Sequence, residues 1–351
     1  MNYFIKKLVF SIISVLAIIC FIFIIISKAP VDPSSLSFGQ RNDPKSLELM
    51  RKANFLDRSI GVQIAKYLED IIPFQIVNKS DARLSYYSYV KLFTISHYLF
   101  VVKVPYFRKS FATGEDVTKL LQTAIVPTLF LAISSILIAI ILGVGLGILA
   151  VKFINKWIDQ FIMSFCSLGF SVPSYIAAIF ISIVIGFIFF PIFGLPMQGS
   201  LMELDDLGNM HINFKNLILP SIALGIRPIS VICQMTRSSI LDIMHQEYIR
   251  TAKSKGISTR LFYQKHILKN AINPILTTIS AWFASLLAGS FFIEYVFNYR
   301  GIGDLTINAM NQFDIPLILG CCIFVTILFI VINFLTDILF VILDRRIKVT
   351  A

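Results

Sequence analysis

Charge is scarce in this chain, and acidic charge is scarcest. Only 15% of the 351 residues are charged, with 20 Asp and Glu against 31 Lys and Arg, while 56% are hydrophobic. A soluble domain of that length could not cover its surface with so few polar groups. Signatures of catalysis are missing too. No GxxxxGK[ST] loop is present to cradle a nucleotide phosphate, and no nucleophile stands beside a base in a recognisable pattern. The four histidines, His97, His211, His245 and His266, are scattered, with no HExxH pair. All five cysteines (Cys20, Cys166, Cys233, Cys321 and Cys322) fall within apolar runs and lack metal-ligand spacing. That pattern argues against a disulfide framework or zinc cluster and leaves them as small packing residues. The chain is therefore read as non-enzymatic, with no metal or cofactor of its own.

The string GxGxxA does occur, through Gly145, Gly147 and Ala150, with Gly143 just before it. A dinucleotide fingerprint needs a strand, a turn and a helix in water. Here the string ends a long apolar run, where small residues let helices approach closely.

Long apolar runs are what the chain has instead. Crossing about 30 Å of hydrocarbon takes roughly 20 helical residues, and runs of that order recur at 8–27, 120–151, 158–190, 217–240, 272–297 and 315–343. Backbone groups in lipid must be bonded within the chain, and these runs lack the alternation of barrel strands. Six transmembrane helices are expected. Lys6 and Lys7 precede the first run as in a signal peptide, but its apolar stretch exceeds the roughly 7–15 residues of such a signal, so it is read as a retained span. With the N-terminus inside, the inner segments hold Lys6, Lys7, Lys152, Lys156, the seven basic residues between 237 and 269, and Arg345, Arg346 and Lys348, whereas the short outer loops hold only Lys215 and Arg300. This is the bias of cytoplasmic loops, so much of the net charge of +11 reflects topology. Nucleic acid is not an expected partner.

Residues 28–119 form the one sizeable extramembrane piece, an expected extracytoplasmic domain between spans 1 and 2. It opens with turn chemistry around Pro30, Pro33 and Pro44, passes into a helix-like run at 46–69, and ends aromatic and polar. A plain structured cap and a docking surface for an outside partner are both open readings. Four ionisable residues, Asp159, Arg227, Glu294 and Asp337, lie within or close to spans. A charge at mid-bilayer costs about 2.5–3.5 kcal/mol on insertion scales, so each should face a cavity or a partner. Arg227, beside Pro228, is expected to line a water-filled path or to pair with Asp337 or Glu294; the alternative is a purely structural ion pair. Pro173, which interrupts the third run, joins Arg227, Glu294 and Asp337 as a candidate translocation-path residue.

The stretch between the fourth and fifth runs stands apart. From 237 to 269 it carries seven basic residues, Arg237, Arg250, Lys253, Lys255, Arg260, Lys265 and Lys269, against Asp242 and Glu247. Gly256 can end one short amphipathic helix and Ser258 can cap the next, giving a helix–turn–helix knob. Apolar Ile249, Ala252, Leu261 and Phe262 could then pack into a partner's groove with the basic residues around its rim. A basic loop resting on anionic lipid is the plainer alternative.

Within that stretch Tyr248-Ile249-Arg250-Thr251-Ala252-Lys253-Ser254-Lys255-Gly256, followed by Lys265-His266-Ile267-Leu268-Lys269-Asn270-Ala271-Ile272-Asn273-Pro274, resembles the YxRTAxxKG and KHxLxNAxxP core of a known family. These are the permease subunits of ATP-binding-cassette (ABC) importers, in their dipeptide, oligopeptide and nickel branch. SFATGEDV, PTLFLA, SVPSY, LPSIALG, TRSSI, EYVFNYRGIGDL and LDRRI match in order, so the resemblance runs from about 110 to 348. The first half of the outer loop is longer and less familiar than in that family. Arg227 is outside the pattern, and Arg300 stands where Pro is more usual.

The resemblance implies an all-α type I ABC importer permease fold, divided as a helix at 1–27, an outer domain at 28–119, a five-helix core at 120–343 and a tail at 344–351. It implies a coupling loop at 242–270 docking on a partner ATPase, with Glu247, Arg250, Thr251, Ala252, Lys255, Gly256, Leu261 and Phe262 as coupling residues. Implied partners are a second homologous permease subunit, two ABC ATPase subunits holding ATP and Mg, and an extracytoplasmic substrate-binding protein. The implied cargo is a short peptide crossing the bacterial cytoplasmic membrane, with nickel chelates or other small solutes as alternatives. A secondary transporter driven by an ion gradient is the rival from another class.

Overall fold

The computed structural model of the chain describes residues 2–28, 48, 52, 55–79, 87–205, 207–254 and 263–343. Two compact units form, Met1–Ala124 with Leu305–Ile327 and Ile125–Asp304 with Leu328–Ala351.

The first unit begins with α1 (Asn2–Lys28), an apolar helix without acids in its first turn. Its Ile19 and Phe23 are buried, and the Phe23 ring meets Tyr67 edge-on at 5.6 Å. Tyr67 lies on α2 (Ile60–Ile71); the expected helix-like run at 46–69 is interrupted by a turn at 55–58 just before it. Three strands follow, β1 (Phe74–Asn78), β2 (Tyr89–Ile95) and β3 (Tyr98–Lys103). They pair antiparallel in the order β1-β3-β2. This sheet corrects the all-α expectation for the extramembrane segment. Its β-branched and aromatic residues favour a pleated surface, and Ser96, with φ 53°, makes the tight turn between β2 and β3.

A polar knot holds this part together. Asp70 is buried and accepts hydrogen bonds from Tyr87 Oη at 2.7 Å and Arg108 Nε at 2.9 Å. Lys103 Nζ donates to the Glu69 carbonyl at 2.8 Å and sits 3.7 Å from the Tyr87 ring centroid. Asp314 is fully buried and accepts from the Ser110 hydroxyl, from Phe111 N–H at 3.1 Å and from Leu317 N–H at 3.3 Å. It thus gathers the SFATG turn and satisfies an orphan donor at the start of a helix.

The second unit is helical. Its backbone is α3 (Val117–Lys152, from 125 onward), α4 (Trp157–Ser171) and α5 (Ser174–Ile181), the last running into a π-helical segment, Ser182–Ile188. A short α6 (Phe190–Phe193) and a hairpin of β4 (Met202–Leu204) and β5 (Met210–Ile212) lead to α7 (Lys215–Met244). At the hairpin tip Asp205 accepts from the N–H groups of Asn209 and Leu207 at 2.7 and 2.9 Å. The Asn209 backbone bond leads in holding that carboxyl below the usual range. Next come α8 (Glu247–Ser254), a π-helical turn at Tyr263–Leu268 and α9 (Lys269–Gly289). The chain closes with α10 (Phe291–Val296), α11 (Ile302–Asn311) and α12 (Ile315–Leu343).

Among the described residues three helical stretches are long and apolar enough to cross a membrane: Val117–Lys152, Lys215–Met244 and Ile315–Thr336. The expected third span is a pair, Trp157–Ser171 and Ser174–Ile188, bent by 107°, which makes a fourth crossing if counted as one. Pro173 explains the break, because proline disfavours helical geometry in the residue before it and has no N–H to donate. The expected fifth span also breaks, since α9 ends at Gly289 and α10 restarts at Phe291.

α3 and α7 pack through glycine. A Cβ on Gly147 would stand 2.6 Å from Thr236 Cβ and 2.8 Å from the Cys233 carbonyl oxygen, and one on Gly143 would stand 2.9 Å from Ile232 Cβ. Gly145 has nothing within 4 Å. The string is therefore a helix-packing device read at i and i+4. Gly147→Val should cost about 1–3 kcal/mol through overpacking, whereas Gly145→Ala should stay within about 0.5 kcal/mol of wild type. Thermal unfolding in detergent reads the difference, and equal effects at the two positions would contradict this packing.

Candidate functional site

The basic stretch leaves α7 through a tight turn. His245 N–H bonds to the Leu241 carbonyl at 3.2 Å and Ile249 N–H to the Gln246 carbonyl at 3.1 Å, so α8 starts at once. Helical spacing then sorts its side chains. Ile249 and Ala252, three apart, are buried, while Tyr248 is 45% exposed and Glu247 and Thr251 are exposed. Ile249 belongs to the same core as Ile267 and Ala271, with Leu241, Ile243, Met244 and Leu268 packed around it.

The expectation that Ile249 and Ala252 are anchors for a partner's groove is revised accordingly. Their apolar face is used to fasten α8 onto the chain itself. What faces outward is Glu247, Tyr248 and Thr251. Tyr248 Oη accepts from Asn270 Nδ2 at 3.0 Å, and the same nitrogen donates to the His266 carbonyl at 2.9 Å. This tie joins the two halves of the motif, YxRTA and KHxLxNA, in space. The side chain of Arg250 and residues Lys255, Gly256, Leu261 and Phe262 lie outside the described ones.

At the root of the stretch Arg237 reaches across to α4. Its Nε and Nη2 donate to the two oxygens of Asp159 at 2.7 and 2.8 Å. Asp159 is 3% exposed and also accepts from the Asn155 N–H at 3.1 Å. The pairing is bidentate, the geometry that gives a guanidinium–carboxylate contact both strength and direction. It clamps the end of α7 that feeds α8 to the turn between α3 and α4. The sequence flagged Asp159 as needing a partner without identifying Arg237 as that partner.

The candidate path residues separate. Glu294 is fully buried, and its Oε2 accepts from Gly303 N–H at 2.7 Å and Asp304 N–H at 3.3 Å. A carboxylate there complements the positive end of α11. Thr128 Oγ1 accepts from Ile302 N–H at 2.9 Å, and Tyr299 Oη donates to the Pro127 carbonyl at 3.2 Å. A Cβ on Gly301 would lie 2.4 Å from Glu294 Oε2, and one on Gly303 2.3 Å from Phe291 Cα. The EYVFNYRGIGDL motif is thus a closed turn in which glycine makes room for the carboxylate.

Arg227 lies instead over Phe170, its guanidinium carbon 5.3 Å from the ring centroid. The buried Nε has no hydrogen-bond partner, and Arg227 makes no ion pair among the described residues. Glu294 is not its partner; the side chain of Asp337 lies outside the described ones. Pro173 caps the start of α5 and is exposed. Near it, the Tyr175 and Phe292 rings lie 6.2 Å apart.

Residues 139–349 match the family model described as binding-protein-dependent transport system inner membrane component. Residues 1–91 match the N-terminal model of the same transport-system component, so the first part of 28–119, less familiar by motif, also falls within a family pattern. The chain is 28% identical over 353 residues to the glutathione transport system permease protein GsiC of Salmonella paratyphi A, covering 99% of each. It is 30% identical over 354 residues to a putative peptide transport system permease protein of Brucella abortus, again covering 99% of each. An inward-facing structure of the MetNI methionine ABC transporter shares the fold at a TM-score of 0.51, with 15% identity, covering 65% of this chain and 97% of that one.

The Asp159–Arg237 clamp makes a checkable prediction. Arg237→Met leaves a buried carboxylate without its cation and should destabilise by about 3 kcal/mol, while the Asp159→Leu/Arg237→Met pair recovers most of that loss. A double-mutant cycle on thermal unfolding measures it. A coupling energy near zero would mean that the contact carries no weight.

Proposed function

The chain belongs to the binding-protein-dependent transport system inner membrane component family, and on that premise we propose that it imports short peptides through a coupling knob centred on α8. It is a permease subunit of an ABC importer and a multi-pass inner-membrane protein. The full-length relation to a putative peptide transport permease is the observation that carries the cargo class. We read α1 and α9 with α10 as the two further spans, giving six in a type I arrangement with both termini cytoplasmic. Residues 28–119 then lie outside, where an extracytoplasmic binding protein delivers cargo.

Energy comes from outside the chain. Two partner ATPase subunits hold ATP and Mg, and a second permease subunit completes the pore. Closure of the ATPases favours one of two pore states, so nucleotide shifts the balance between outward and inward access. The knob is suited to pass on that movement because it is stiff at its base and polar at its tip. Ile249 and Ala252 anchor α8 in the core, Asn270 ties Tyr248 to the following segment, and Asp159 holds Arg237 beneath it. In this reading Glu247 and Thr251, with Arg250, Lys255, Gly256, Leu261 and Phe262, are the residues that couple to the ATPase. Ala252 acts from below as a support. An ion-gradient-driven carrier would need no such knob.

Co-reconstitution with the partner subunits tests this. Loaded binding protein should stimulate ATP hydrolysis, and radiolabelled short peptides should accumulate in vesicles only with ATP. Uptake driven by a proton or sodium gradient without ATP would sink the reading. Thr251→Glu, on the exposed face, should lower uptake about tenfold by placing a desolvated charge in the joint, while thermal unfolding stays unchanged. Wild-type uptake by that variant would count against docking at α8.

A further inference from the structure

We propose that Arg227 is a binding point for the carboxylate group of the transported solute, placed inside the span by the break between α4 and α5. The idea rests on the reading of this chain as a peptide permease and adds a cargo-selecting contact within the permease itself.

Among the described residues, a cation in this position has no structural partner for its charge. Arg227 lies near the middle of α7, a helix of 30 residues, so it falls at membrane depth. Charges at such depth face a partner, a cavity or water. The carboxylates of the described second unit that sit in spans are committed elsewhere, Asp159 to Arg237 and Glu294 to the N–H groups of α11. Arg227 itself has a buried Nε with no acceptor. Its only described charge-linked contact is the Phe170 ring. Such stacking holds a guanidinium flat by one face and leaves its edge donors available to a planar anion.

The surroundings place the group beside the break between α4 and α5. Phe170 is two residues short of the α4–α5 break. α4 approaches α7 closely there, since a Cβ on Gly169 would stand 2.7 Å from Ser230 Oγ and 3.1 Å from Ile226 Cγ2. These contacts flank Arg227 on its own helix and fix it at the level of the break. Ser171 and Pro173, at the break, are exposed. Non-helical backbone at membrane depth is tolerated only where protein covers it or water reaches it. A cation held on an aromatic face beside such a break is suited to take a carboxylate from a wet path. The pairing would be bidentate and short-lived, as a site that must also release its cargo requires.

The test uses the purified importer in detergent without its binding protein, so that binding reports the permease. Radiolabelled trialanine and trialanine amide, which differ only at the terminal carboxylate, are the probes. The free acid should bind about tenfold more tightly than the amide, and the ratio should fall towards one in Arg227→Gln while Arg227→Lys keeps part of it. Phe170→Leu removes the aromatic face from a half-exposed position and should lower the ratio about threefold, which decides the matter if the Gln variant fails to assemble. No preference for the acid in wild type, a preference that survives Arg227→Gln, an unchanged ratio in Phe170→Leu, or equal loss of both probes would overturn the proposal. ATP-dependent uptake is measured in parallel. If binding behaves as expected but neither probe is imported, peptide transport fails as the function and the Arg227 site stands.

Discussion

A carboxylate taken out of water must be met by donors, and the burial of four such groups fixes much of this architecture. Asp70, Asp159, Glu294 and Asp314 are each less than 5% exposed. Each is met by cations, hydroxyls or the free N–H groups at a helix start. Left unpaired, a buried charge of this kind costs several kcal/mol, so the segments that supply its donors are held in register. Asp159 sets the relation of α4 to α7, Glu294 that of α10 to α11, and Asp314 that of the SFATG turn to the start of α12. With so few acids in the chain, four of them spent on internal joints is a large share.

The outward face of α8 follows from a similar constraint. α8 is too short to hold its place by backbone bonds alone. Two apolar side chains, Ile249 and Ala252, turn into the core and leave a polar face outward. Under the proposed function, a partner gripping that face would pull on a helix rooted in α7 and α9. The Asp159–Arg237 clamp extends the root to the turn between α3 and α4.

How much of this was legible beforehand depends on the range of the interaction. The apolar runs, their order and the Pro173 interruption were readable because span length and proline chemistry are local. The short helix at the start of the basic stretch, α8, was readable from its motif, while the expected turn at Gly256 lies outside the described residues. The direction in which α8 faces was misread for Ile249 and Ala252, since an amphipathic helix has an apolar side whether its neighbour is a partner or its own chain. The outer sheet was missed because β2 and β3 show no clean alternation, and register there is set by pairing with β3. Asp159 was flagged as needing a partner, but 78 residues separate it from Arg237 and no periodicity links them.

Sequence by itself determined the medium, the helices and the family motifs, because hydropathy, helix breaking and short motifs act over a few residues. Tertiary structure alone decided which glycines touch a neighbour, which acid meets Arg237, that Glu294 is occupied with a helix end, and that Arg227 meets an aromatic ring and, among the described residues, no counter-ion. Those outcomes depend on distances between segments far apart in the chain, and only packing sets such distances.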